Sequence, residues 1–167
     1  FIKQIEKFNV HCHLNHEVSV ETIQQEKPDA IILATGSLPA PPSIEGTEKK
    51  IVVPIQTALD GDRPLKEKTV VVGGGPVGCE VALYLSECGC PVTMVEMLPE
   101  IGGRLEFMTR KLFIEKLSGN HVQMMTGYKL VKVADGGIFV TDHENNKHFI
   151  ETQHVVMAVG NRPDNSL

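Results

Sequence analysis

A chain of 167 residues, 41% apolar and 22% charged, is long enough to bury one sizeable core or two small ones but not to house a whole multi-cofactor enzyme. Its net charge of −5 removes the electrostatic footprint of a nucleic-acid binder or of a protein that docks on an anionic membrane. No stretch approaches the roughly 20 apolar residues of a bilayer span and no charged-then-apolar leader opens the sequence, so no membrane partner and a cytoplasmic location are expected.

In chain order, residues 1–8 read as the tail of an amphipathic helix (Phe1, Ile2, Ile5, Phe8), Val10 to Leu14 as a short strand, and Val20 to Glu26 as a helix or turn led by a Ser/Glu pair. Asp29 to Thr35 is almost wholly apolar and ends in Gly36, the pattern of a strand buried on both faces of a parallel sheet. Pro39, Pro41 and Pro42, followed by the turn cluster Asp60 to Pro64, make residues 37–67 the expected linker or domain crossing. From Thr69 a βαβ order emerges: strand Thr69–Val72, a glycine loop, helix Pro76–Cys88 closed by Gly89, and strand Val92–Glu96. A loop at Pro99–Gly103 and a helix at Glu106–Leu117 follow. Short alternating strands start at His121, with turns at Gly136-Gly137 and Glu144-Asn145-Asn146, and lead to a last strand, His154 to Val159. Asp29–Pro39 and His154–Pro163 echo each other as apolar strand, Ala-x-Gly, then proline.

The chemistry is concentrated in Gly73-Gly74-Gly75-Pro76-Val77-Gly78, a G-x-G-x-x-G pattern. Alone the pattern is weak, but here it follows a β-branched strand, opens a helix and precedes Glu96 by eighteen residues, counted from Gly78. Gly73 permits the tight turn, Gly75 leaves the backbone open to a diphosphate, and Gly78 lets the helix pack on the sheet. The first-turn N–H groups then face the anion at the positive end of the helix, and Pro76 lacks an N–H where none is needed. Glu96 is placed to accept from the adenosine ribose hydroxyls and to repel a 2′-phosphate, which favours NAD over NADP. Met97 follows it at the same end of the strand, and Arg104 is the nearest downstream arginine.

Other features have plain explanations. His11 and His13 alternate with Cys12 on a strand, so the three do not converge, and Cys88-Gly89-Cys90 straddles a helix end without a second pair. No metal site is assigned. The four cysteines are read as reduced thiols, the methionines as core filler, and no side chain as a catalytic acid, base or nucleophile.

Three segments together, Lys27 to Gly36, Val70 to Glu80 followed by Val92 to Glu96, and Val155 to Pro163, resemble the two-dinucleotide flavoprotein reductases. Within them the wording is similar to the nucleotide-binding region of flavin-dependent enoate and 2,4-dienoyl-CoA reductases. The resemblance implies an α/β fold: a Rossmann-like dinucleotide-binding domain with a parallel sheet and an antiparallel hairpin insert, and part of a second, FAD-type Rossmann-like domain. It implies that residues 1–64 are the rear of a discontinuous FAD-type domain, 65–160 the NAD(H) domain, and 161–167 the start of the return. By the same resemblance Thr35, Gly36, Ala158 and Gly160 lie near the nicotinamide or the crossing, and Glu80 faces the nicotinamide end of the cofactor. NAD(H) is the cofactor expected on this chain. FAD, FMN and an iron–sulfur cluster are expected only in a longer polypeptide of which this is a piece, because the flavin's own glycine loop does not occur here. The reading that follows is an NADH-binding domain passing hydride to FAD in a reductase of unsaturated substrates, not competent by itself. Two alternatives stay open: a module that holds ADP without handling hydride, and the NADH domain of a disulfide reductase or NADH oxidase.

Overall fold

The computed structural model describes residues 1–39, 43–61, 65–164 and 166–167. The chain divides into two compact units, Phe1–Leu38 with Pro163–Leu167, and Pro39–Arg162. The passages from one to the other fall in two short strands, β1 (Ser37–Pro39) and β10 (Asn161–Pro163).

The first unit contains helices α1 (Ile2–Lys7) and α2 (Val20–Glu26). The second starts where a capping residue requires it: Ser19 Oγ accepts from the Thr22 N–H at 3.3 Å, and Thr22 Oγ1 accepts from the Ser19 N–H at 3.4 Å. The expected strand at Val10–Leu14 is irregular chain with a turn, and the expected strand at Asp29–Thr35 is irregular chain without strand pairing, with Ile32 91% exposed. A parallel strand exists only through the neighbours that take its backbone hydrogen bonds, and among the described residues nothing in this unit supplies them. Sequence similarity between Asp29–Pro39 and His154–Pro163 therefore survives in the turn rather than the strand. In both segments a glycine three residues before the final proline takes a positive φ, Gly36 at +82° and Gly160 at +108°.

The second unit is a three-layer α/β structure. Its central sheet has five parallel strands in the order β2 (Val52–Val53), β9 (His154–Met157), β3 (Thr69–Val72), β4 (Val92–Glu96) and β5 (Gln123–Thr126). Alternation along the strands separates two cores. Val71, Met94 and Val156 face helices α3 (Ile55–Ala58), α4 (Pro76–Glu87) and α5 (Phe107–Gly119), meeting Ala58, Leu85 and Leu117. Val70, Val72, Val95 and Val155 face the opposite layer, the antiparallel sheet β6 (Lys129–Ala134), β7 (Gly137–Thr141) and β8 (Lys147–Glu151), and meet Leu130, Val133, Ile138 and Val140. Each of the buried valine, leucine, isoleucine and methionine side chains among these contributes up to about 1.5–3 kcal/mol of transfer free energy, so the sheet is held from both sides.

Residues 43–61 pack with this unit. Val52 pairs with Val155, Ala58 is wholly buried, and the Val133 N–H donates to the Glu45 carbonyl at 2.8 Å. The compact unit begins at Pro39, and the NAD(H) domain implied by the resemblance, residues 65–160, lies within it. Residues 40–42 and 62–64, parts of the expected linker, lie outside those described. Among the described residues no helix is long and apolar enough to cross a membrane.

Candidate functional site

Strand β3 stops at Val72 because Gly73 turns the chain at φ +109°, a conformation that favours glycine. A Cβ at Gly73 would also overlap the Ala158 carbonyl oxygen, and one at Gly78 would overlap the Gly73 carbonyl oxygen. These two glycines are therefore packing positions. They let α4 and the end of β9 close on the loop, with the Ala158 N–H donating to the Val72 carbonyl at 2.7 Å. Gly74 is a third: a Cβ there would stand 2.6 Å from Ile101 Cδ1 and 3.0 Å from Glu96 Cβ.

Gly75 differs. Its φ of −72° and ψ of −176° suit any residue, and a Cβ built on it meets no protein atom within 4 Å. The open space lies at the N-cap of α4, where no side chain caps the helix. The Cys79 N–H already reaches the Gly75 carbonyl at 2.9 Å, while the N–H groups of Val77 and Gly78 precede the first intrahelical acceptor. Helix α5 supplies the contrast. Its N-cap Glu106 accepts from the Met108 and Thr109 N–H groups at 2.9 and 3.1 Å, and these bonds hold the Glu106 carboxyl below the usual carboxylate range. One helix start is closed by its own carboxylate and the other is left open to an external anion, as a diphosphate seat requires.

Glu96, at the end of β4, is only 8% exposed. Its Oε2 accepts from the Gly74 N–H at 2.5 Å and its Oε1 from the Leu98 N–H at 2.8 Å. Sequence reasoning placed this carboxylate for a ligand and missed that it ties the glycine loop to the next strand. Beyond it, Met97 and Leu98 are 63% and 50% exposed apolar side chains. Glu80 is exposed on the first turns of α4, Val77 is half exposed there, and Pro76 is half-buried at the helix start.

The structure thus gathers Gly73, Gly74, Gly75, Gly78, Glu96 and Ala158 at the carboxyl ends of β3, β4 and β9. Because β4 and β9 lie on opposite sides of β3, this is a switch point of an open parallel sheet, where such sheets leave a crevice for ligands. Gly160 is exposed two residues beyond Ala158. Thr35 and Gly36 belong to the other unit, where they hold its returning segment: Thr35 Oγ1 donates to the Asp164 carbonyl at 2.6 Å, and the Asp164 N–H donates to the Gly36 carbonyl at 3.1 Å.

Cys79, just inside α4, is fully buried with its Sγ 3.6 Å from the Gly74 carbonyl. Burial, with Glu80 and Glu96 adding to it, pushes its thiol up to about 11. The thiolate is the reactive species, so at pH 8 a thiol-specific disulfide reagent is expected to modify exposed Cys12 and leave Cys79 untouched until the protein unfolds. Mass spectrometry of the labelled native protein checks this, and equal labelling of both would contradict the burial. Among the described residues no group of three or more histidine, cysteine or acidic side chains is placed to hold a metal ion.

Comparison with known proteins places this geometry in context. The pyridine nucleotide-disulphide oxidoreductase family model matches residues 2–167. The chain is 36% identical over 151 residues to an NADH oxidase of Thermoanaerobacter brockii, covering 86% of this chain and 23% of the relative. It is 32% identical over 159 residues to a cinnamate reductase of Clostridium sporogenes, covering 93% of this chain and 24% of the relative. Among solved structures, a 2-naphthoyl-CoA reductase in complex with 2-naphthoyl-CoA superposes with a TM-score of 0.87 at 29% identity, over 99% of this chain and 25% of that one. The chain spans about a quarter of the length of these relatives.

Proposed function

The chain belongs to the pyridine nucleotide-disulphide oxidoreductase family, and we propose that its Pro39–Arg162 unit binds NADH over the Gly73–Gly78 loop and positions it for hydride transfer to FAD. The observation that carries this reading is the open space over Gly75 at an uncapped helix start, beside the carboxylate of Glu96. In this reading the N–H groups of Val77 and Gly78 hold the diphosphate and Gly75 lets it approach the backbone. The free lone pairs of Glu96 take the adenosine ribose, and the exposed Met97 flanks the adenine. Glu80 and the Ala158–Gly160 segment border the nicotinamide end. When bound, NADH supplies the hydride and FAD accepts it. The chain's own part is to bind, orient and exclude water.

The same reading assigns Phe1–Leu38 and Pro163–Leu167, with Thr35 and Gly36, to an FAD-type domain, and draws the boundary at Pro39 on the strength of the compact units. Reduction of an unsaturated, enoate-type substrate, with FMN and an iron–sulfur cluster carried elsewhere in the polypeptide, is supported by the likeness to a cinnamate reductase. A second acceptor, dioxygen, is favoured by the likeness to an NADH oxidase. In the intact protein, anaerobic NADH oxidation driven by a 2-enoate is the expected result. Oxidation that requires dioxygen, or a disulfide, would reassign the acceptor and keep the NADH site. Saturable binding of ADP with no oxidation of NADH by any acceptor would reduce the unit to a nucleotide-holding module.

A further inference from the structure

Arg110, on helix α5, reaches back to the turn at Glu100–Gly102. Arg110 Nε donates to the Ile101 carbonyl at 2.7 Å, and its NH2 group lies 2.9 Å from Glu100 Oε2. These contacts close the turn 100–103, in which Gly102 takes φ +68° and lies against the Arg110 stem, a Cβ there standing 3.2 Å from Arg110 Cγ. The Gly102 N–H in turn donates to the Gly74 carbonyl at 2.7 Å. Gly74 is thereby held at both backbone groups, its N–H by Glu96 and its carbonyl by Gly102, and Gly75 is the next residue.

We propose that Arg110 is a positioning residue of the NADH site, acting through Ile101 and Gly102 to fix the Gly74 peptide and hence the direction in which the α4 N–H groups point. Glu106 caps α5 with its own carboxylate, so the Arg110 side chain, bonded to Ile101 and Glu100, is not that helix's cap. Lys111, its neighbour, makes among the described residues only an exposed contact of 4.0 Å with Glu115 and serves as the control. A guanidinium donates through Nε and a terminal nitrogen at once, in a fixed plane, and a charge-assisted bond to a carbonyl is stronger than a neutral one. The inference rests on the Gly73 loop being the NADH seat.

The test is calorimetric titration of the intact protein with NADH and, separately, NMR titration with adenosine, which lacks the diphosphate. Arg110→Ala is expected to weaken NADH roughly tenfold, the loss of one charge-assisted bond, to leave adenosine unchanged, and to speed amide exchange at Gly102. Arg110→Lys, which can still reach one carbonyl, is expected to recover most of the loss, and Lys111→Ala to bind as the parent does. An Arg110→Ala protein that binds NADH like the parent overturns the proposal. So does one that loses NADH and adenosine in equal measure along with thermal stability, for then Arg110 only supports the fold. If the parent protein itself fails to bind NADH, the reading of the loop falls instead.

Discussion

Replacing Gly75 by valine is expected to weaken NADH binding by roughly a hundredfold or more, about 2.7 kcal/mol, while the protein stays folded. Two features of the loop separate these effects. The backbone at Gly75 is extended, so valine fits it without strain, and a Cβ there touches no protein atom within 4 Å. The fold loses only a favoured N-cap residue, about 1 kcal/mol or less. The ligand loses its approach to the helix start, where each charge-assisted hydrogen bond contributes about 1.5–3 kcal/mol. Gly78→Ala should behave in the opposite way. Its methyl group would overlap the Gly73 carbonyl oxygen, a backbone atom rather than the end of a flexible side chain, so overpacking of about 1–3 kcal/mol outweighs the gain in helix propensity. Thermal melting and NADH titration of both variants decide the matter. Valine at Gly75 with unchanged affinity would make the loop a mere turn.

How far the sequence carried this result depends on the range over which each feature is determined. The βαβ unit was legible because its signals are local. Thr69–Val72 is β-branched throughout, Gly73 must take a positive φ, Pro76 sits at the first helical position, and Gly89 at φ +82° ends α4 with the Cys90 N–H donating back to the Leu85 carbonyl. Asp29–Thr35 has a strand's composition but no ladder partner among the described residues, and composition cannot provide one. Residues 43–61 looked like linker because their contributions are single contacts, such as Val52 on Val155, with no period to detect. The Arg110 link was invisible for a further reason. It runs through carbonyl and amide groups of Ile101, Gly102 and Gly74, and backbone groups leave no mark on residue identity.

Glu96 is expected to make the site prefer NADH to NADPH by roughly ten- to a hundredfold, about 1.4–2.7 kcal/mol, and its two backbone bonds change what its variants should show. An ionised carboxylate has about four acceptor positions. Gly74 and Leu98 use one on each oxygen, which leaves one on each for the ribose hydroxyls. With NADPH the same oxygens face a phosphate dianion, so added salt should narrow the preference by screening. Glu96→Ala removes the ribose acceptors, the repulsion and the anchor of Gly74 together. NADH should therefore weaken by roughly a hundredfold, while NADPH should change little, because relief of repulsion is offset by a looser loop. Glu96→Gln separates the two roles further. Its amide has one oxygen for two backbone N–H donors, so one of them is left facing an NH2 group, at a cost of about 1–3 kcal/mol. It should lose affinity for both cofactors, and the NADH preference should shrink with the charge. Titration of the parent and both variants with each cofactor, at low and high salt, measures every term. Equal affinity of the parent for NADH and NADPH would show that the remaining lone pairs of Glu96 serve only the loop, and the exposed Arg104 would then be the residue to mutate.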